Sequence, residues 1–185
     1  MNIRQGNRLS ERELARLVGN GDPGAQRELY DRYAGMLTAV ASRYIPDADQ
    51  VKDVLQESFI SIFDHFGSFR YRGEGSLRAW MSKIVTNSAL GALRRNGRLL
   101  TEEELPASLP DEEPDVDSVP MEVLQKMIQN LPDGYRTVFN LFVFEQMKHK
   151  EIAALLGIKE NSSASQLLRA KAQLAKEIKE YRKDG

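Results

Sequence analysis

The chain has no cysteine, only two histidines (His65 and His149) and a single tryptophan, Trp80. Without cysteine there is no disulfide and no thiolate metal site. Two histidines far apart in sequence leave too few nitrogen ligands for a zinc centre or a histidine-dependent hydrolase. No apolar run approaches the roughly 20 residues needed to cross a bilayer, and residues 1–10 are polar, without the apolar core of a secretory signal. These features fit the reducing cytoplasm, with no membrane insertion, no metal and no cofactor. Alternating strand patterns and internal repeats are missing too. What is present is 185 residues, 41% hydrophobic and 29% charged, enough for one soluble domain or two small ones.

A net charge of −1 hides an asymmetry. Residues 1–96 hold 14 Lys+Arg against 11 Asp+Glu, and residues 120–185 hold 11 against 8, so each is net +3. Between them, residues 97–119 hold 1 against 8, net −7. That middle stretch also brings Pro106, Pro110, Pro114 and, just beyond it, Pro120. Proline removes backbone donors and like charges repel, so the composition predicts an extended linker. It would reach at most ~75 Å stretched and average roughly 25–30 Å as a coil. The expected architecture is all-α: two small helical domains, 1–96 and 120–185, joined by an acidic Pro-rich linker.

Before the linker the apolar spacing predicts four helices. The first covers about 9–19. The second opens with Asp22 as N-cap and Pro23 at the first helical position, and Pro46 ends it. Its apolar face is Leu29, Tyr33, Met36, Leu37, Val40 and Tyr44. The third starts at Asp47 or Asp49, with Val51, Val54, Leu55, Phe59, Ile62, Phe63 and Phe66 inward. A glycine-rich loop, 67–75, precedes a fourth helix that Ser76 is expected to cap. That helix carries Leu77, Trp80, Met81, Ile84 and Val85, with Arg94 and Arg95 complementing its C-terminal dipole.

After the linker, helices are expected at 121–130, 135–145, 148–156 and 160–183. The last two read as a helix-turn-helix. Ile152, Leu155 and Leu156 share one side, Gly157 sits where a helix ends in a left-handed turn, and Ile158 packs back after the stop. Leu167, Ala170, Leu174, Ile178 and Tyr181 then recur three to four apart. Helices joined by so tight a turn cross steeply, and the second can enter a DNA major groove. Burying Leu167, Ala170 and Leu174 leaves Asn161, Ser162, Ala164, Ser165, Leu168 and Arg169 toward the groove.

Gly21-Asp22-Pro23…Glu28-Leu29-Tyr30…Tyr33, Asp53-Val54…Gln56-Glu57-Ser58-Phe59 and Phe69-Arg70…Gly73…Ser76-Leu77-Arg78-Ala79-Trp80…Asn87…Arg94-Arg95 together resemble the N-terminal conserved region of extracytoplasmic-function (ECF) sigma factors. The segment from Leu131-Pro132 to Lys171 resembles their C-terminal region. The two stand in the right order and separation and cover most of the chain outside the linker.

The resemblance implies a non-catalytic specificity subunit of RNA polymerase that directs initiation and supports promoter melting. Asp53, Gln56 and Glu57 would dock on the β′ clamp helices, and the β flap would be a further contact. Phe69, Arg70, Tyr71 and Arg72, with Asn87, Arg94 and Arg95, would serve the −10 element. Unstacked bases are captured by aromatic stacking and cationic groups, and phosphates by arginine. The helix-turn-helix face would read the −35 element. Ala164 stands where many members carry Lys or Arg, and a small apolar residue makes no guanine contact. Recognition is therefore expected to lean on Ser165, Gln166 and Arg169, with phosphate contacts from Lys148, Lys150 or Lys171. Relatives are often held inactive by an anti-sigma factor, and a monomer is expected when free.

Two other classes fit the sequence less well. A stand-alone helix-turn-helix regulator would need a ligand pocket or dimer face in its N-terminal half, and no residue pattern marks one. A metal-dependent nuclease needs convergent carboxylates on a rigid scaffold, and here the densest acidic cluster lies in the Pro-rich stretch.

Overall fold

Pro23 cannot donate a backbone hydrogen bond, but the first helical position needs no donor. Asp22 accepts the Ala25 N–H at 2.7 Å, and the second helix runs from there. The computed structural model describes residues 9–97 and 119–184. Among these it is all-helical: α1 Glu11–Gly19, α2 Pro23–Ser42, α3 Ala48–Asp64, α4 Ser76–Arg95, α5 Met121–Asn130, α6 Asp133–Val143, α7 His149–Leu156 and α8 Glu160–Asp184. A single 3₁₀ turn, Phe66–Ser68, follows α3. The acidic stretch expected as a linker falls almost entirely outside the described residues. No described helix is long and apolar enough to cross a membrane.

The chain forms two compact units. The first takes the described part of Met1–Ala41 together with Ala48–Ala89. Leu14, Leu29, Leu37, Ile62, Leu77 and Met81 are fully buried within it. The second takes Ser42–Asp47 and the described part of Leu90–Gly185. Its core joins Met127, Ile128, Leu131 and Tyr135 to Ala170, Leu174 and Ile178 on α8. The division therefore falls inside α4, and a six-residue segment of the N-terminal half joins the second unit, rather than parting at 96 and 120.

Side-chain donors explain that segment. α2 stops at Ser42, four residues short of Pro46. The carbonyls of Ser42 and Arg43 accept from Gln129 Nε2 (3.4 Å) and Asn140 Nδ2 (2.8 Å), and that of Tyr44 from Arg136 Nε (3.0 Å). Arg136 is 2% exposed. Its guanidinium also donates to the carbonyls of Gln129 (3.0 Å) and Leu131 (2.6 Å) and pairs with Asp133. A buried guanidinium is tolerable only when its donors are met in this way.

Other local differences have similar causes. α1 begins at Glu11 rather than residue 9, because Ser10 is its N-cap and accepts the Glu13 N–H at 3.2 Å. Tyr181 is 40% exposed, so the buried stripe of α8 ends at Ile178. Ser76 does not cap α4: its hydroxyl donates to the Gly73 carbonyl at 2.6 Å and accepts the Arg72 N–H at 3.3 Å. The capping acceptor is the Glu11 carboxylate of α1.

Candidate functional site

Three surfaces carry the residues singled out from the sequence. On α3, Val51, Val54, Ser58, Phe59 and Ile62 are buried. Asp53, Gln56, Glu57 and Ile60 are exposed at i, i+3, i+4 and i+7, one continuous stripe. Ile60, 56% exposed, was not anticipated, although its place in that period was readable. Tyr30 on α2, also exposed, lies with its ring 4.6 Å from that of Phe59. An apolar residue at the end of a polar stripe gives the face something to bury.

The loop between the 3₁₀ turn and α4 has a fixed stem and an open tip. Phe69 is half-buried, its ring 5.8 Å from Phe66 and 5.3 Å from Trp80. Trp80 is half-buried in the same cluster and meets Phe66 edge-on at 5.5 Å. Arg70 folds back and donates to the carbonyls of Gly67 (2.7 Å) and Phe69 (2.9 Å). Tyr71, Arg72 and Glu74 are exposed at the tip.

Behind the tip the chain turns at Gly73 (φ 131°) and Gly75 (φ 86°), angles that side chains disfavour. There the Gly75 and Leu77 amides donate to the Glu11 carboxylate at 3.0 and 2.9 Å. Asn87, Arg94 and Arg95 are exposed further along α4. Lys83, one turn before Asn87, is exposed beside it and was not anticipated. Arg94 also donates to the Leu155 carbonyl at 3.3 Å.

In the helix-turn-helix, Gly157 adopts φ 71°, ψ 31°, the left-handed stop that its position in the sequence calls for. His149 Nδ1 and Ser163 Oγ lie 3.0 Å apart and join α7 to α8, while the His149 ring stacks on Phe142 at 4.8 Å. Asn161, Ala164, Leu168 and Lys171 are exposed along α8, with Ser162 and Ser165 half-buried beside them; Lys148 and Lys150 are exposed at the start of α7.

Two expected readers are not on this face. Gln166 and Arg169 are 5% and 7% exposed. Arg169 turns inward, its guanidinium carbon 5.9 Å from the Tyr135 ring centre and Nη1 3.4 Å from the Tyr135 hydroxyl. The amphipathic spacing was right, but an arginine beside a buried aromatic gains more from stacking and hydrogen bonding than from solvent.

Comparison with known proteins finds the sigma-70 region 2 family matching residues 29–99 and the sigma-70 region 4 family matching residues 121–174. An ECF RNA polymerase sigma-E factor of Haemophilus influenzae is 28% identical over 184 residues, 92% of this chain and 96% of the relative. RNA polymerase sigma-H factor of Pseudomonas aeruginosa is 26% identical over 182 residues, 91% and 93% of the two chains. Among solved structures, the sigma factor RpoE in complex with the anti-sigma factor NepR from Bartonella quintana shares the fold. Its TM-score is 0.50 at 19% identity, covering 83% of this chain and 96% of that one. A stand-alone regulator would account for the second family match and not the first.

Proposed function

Because this chain belongs to the extracytoplasmic-function sigma factors of RNA polymerase, we propose that it divides polymerase docking and promoter recognition among the three surfaces. It binds core polymerase and promoter DNA and carries no catalytic chemistry of its own. The α3 stripe of Asp53, Gln56, Glu57 and Ile60 docks on the β′ clamp helices. Three polar groups followed one turn on by an exposed isoleucine suit a protein interface, where the apolar residue gains from burial and the polar groups give register.

The loop tip, with Tyr71 and Arg72 open and Phe69 and Arg70 committed to the stem, takes the melted −10 strand. Lys83, Asn87, Arg94 and Arg95 follow the strand along α4. The α8 stripe of Asn161, Ser162, Ala164, Ser165, Leu168 and Lys171 enters the −35 major groove, with Lys148 and Lys150 on phosphates. Gln166 and Arg169 hold that helix from inside rather than touching bases. The second unit also meets the β flap, an anti-sigma factor competes for the docking surfaces, and the chain works in the cytoplasm as a monomer when free.

The observation that carries this reading is the pairing of an exposed, periodic α3 stripe with a rigid-stemmed aromatic–cationic loop in one small unit. The test is association with bacterial core polymerase and run-off transcription, comparing wild type with Gln56→Ala/Glu57→Ala. Core-dependent initiation that weakens in the double variant supports it. Specific duplex binding without any association with core overturns it.

A further inference from the structure

We propose that Glu11 is a positioning residue: its buried carboxylate, on the first helix, holds the strand-capturing loop in register with α4 and so sets promoter opening without touching DNA. This rests on the reading of the loop given above.

Glu11 is 4% exposed, which is rare for a carboxylate without strong partners. It has three. Oε2 accepts the Gly75 N–H at 3.0 Å and Oε1 the Leu77 N–H at 2.9 Å. The Tyr33 hydroxyl on α2 donates to Oε2 at 3.4 Å.

The first N–H groups of a helix have no partner within it and carry its positive dipole end, so a carboxylate there is favoured by both hydrogen bonding and charge. In most helices the capping oxygen comes from the residue just before the helix. Here the local candidate, Ser76, is turned to Gly73 and Arg72 instead. The cap arrives from 64 to 66 residues away in sequence. Gly75, which the carboxylate grips, is the last residue of the loop, one step from the open tip.

The loop is thus pinned at both ends. The Phe66–Phe69–Trp80 ring cluster holds the start and Glu11 holds the finish. A tip of four residues, 71–74, is left to meet the strand. Capturing an unstacked base depends on where the tip lies, since stacking and base-edge hydrogen bonds fail over small displacements. Loosening the finish lets the tip wander while the α3 stripe stays in place.

The test uses the full chain with core polymerase on a duplex promoter selected from a random library with wild-type holoenzyme, carrying 2-aminopurine in the −10 strand. Glu11→Gln keeps the size but points an N–H toward amide donors. Glu11→Asp keeps the charge but falls short of spanning both amides. The expected result is unchanged core affinity with an open-complex signal about tenfold weaker for Glu11→Gln, as the loss of charge-assisted hydrogen bonds implies. Glu11→Asp falls between. Amide hydrogen exchange accelerates at residues 73–79 and nowhere else.

A purely structural role would lower core affinity in step with the opening defect and accelerate exchange throughout the first unit, and that outcome overturns the proposal, as does wild-type strand capture by Glu11→Gln. Should Glu11→Gln fail to fold, Tyr33→Phe removes one donor to the same carboxylate, and the same local exchange with a smaller opening defect is required of it. If wild type itself neither binds core nor unstacks the reporter base, the sigma reading of the loop has failed, and this proposal with it.

Discussion

Tyr33 shows how a single hydroxyl ties pH to the fold. Its pKa is raised above the ordinary 10.0, first by burial and then by the facing Glu11 carboxylate, against the lowering influence of Arg32. Below the unfolded value both states carry a neutral phenol, and the hydrogen bond to Glu11 contributes in full. As pH rises past 10, the unfolded chain ionises first, so the folded state is progressively disfavoured until its own raised value is crossed. The first unit is therefore expected to lose stability above pH 10, and Tyr33→Phe to flatten that decline while costing about 1 kcal/mol at neutral pH. Chemical denaturation at pH 7 and at pH 10.5, wild type against variant, reads both effects. An equal alkaline loss in the two proteins would assign it to other groups.

At the scale of the helix, the proposed function would have α8 separate holding from reading. Arg169 and Lys171 are two residues apart, roughly 200° around the helix, and the structure gives them opposite environments. Lys171→Ala should weaken duplex binding and lower the salt slope of the affinity by about one, without changing the melting temperature. Arg169→Ala should instead lower the melting temperature by several degrees, about 1–3 kcal/mol of lost packing and hydrogen bonding, and weaken DNA binding only as the helix loosens. Calorimetry and a salt titration on each variant distinguish the two. A reversed pattern would place Arg169 in the groove.

The helices themselves were largely legible in the sequence. Pro23 after Asp22, Gly157 after Leu156 and the recurrence of Leu167, Ala170 and Leu174 each act within one or two turns of the chain, where spacing and dihedral preference decide. What was not legible acts across sequence. The Glu11 cap reaches 64 to 66 residues away and replaces a serine that local rules favour. Tyr135, 34 residues before Arg169, draws that arginine away from the exposed side of α8. α2 stops early because donors from α5 and α6 take the carbonyls after it. Ile60 is the exception: its period with Asp53, Gln56 and Glu57 was visible, but an exposed isoleucine runs against the expectation that apolar residues lie inward.

For the molecule as a whole, the charge pattern sets how it meets DNA. Residues 1–96 and 120–185 are each net +3, too weakly basic for tight binding alone, and residues 97–119 between them are net −7. Joining two weak binders raises the effective concentration of the second once the first is engaged, so affinity for a two-element promoter exceeds that of either half without new contacts. The acidic stretch should work against this on free DNA, because its eight carboxylates repel phosphates that the flanking lysines and arginines attract. On the proposed function, bare duplex would thereby be disfavoured and specific binding left to the polymerase-bound state. Neutralising Glu102, Glu103, Glu104, Asp111, Glu112, Glu113, Asp115 and Asp117 to Gln and Asn shifts the net charge from −1 to +7. The variant should bind nonspecific duplex about tenfold more tightly at low salt. That gain should shrink as the Debye length falls toward ~10 Å at 0.1 M. Fluorescence anisotropy across a salt series measures it, and an affinity that does not respond to neutralisation at low salt would show that the carboxylates stay out of reach of the bound duplex.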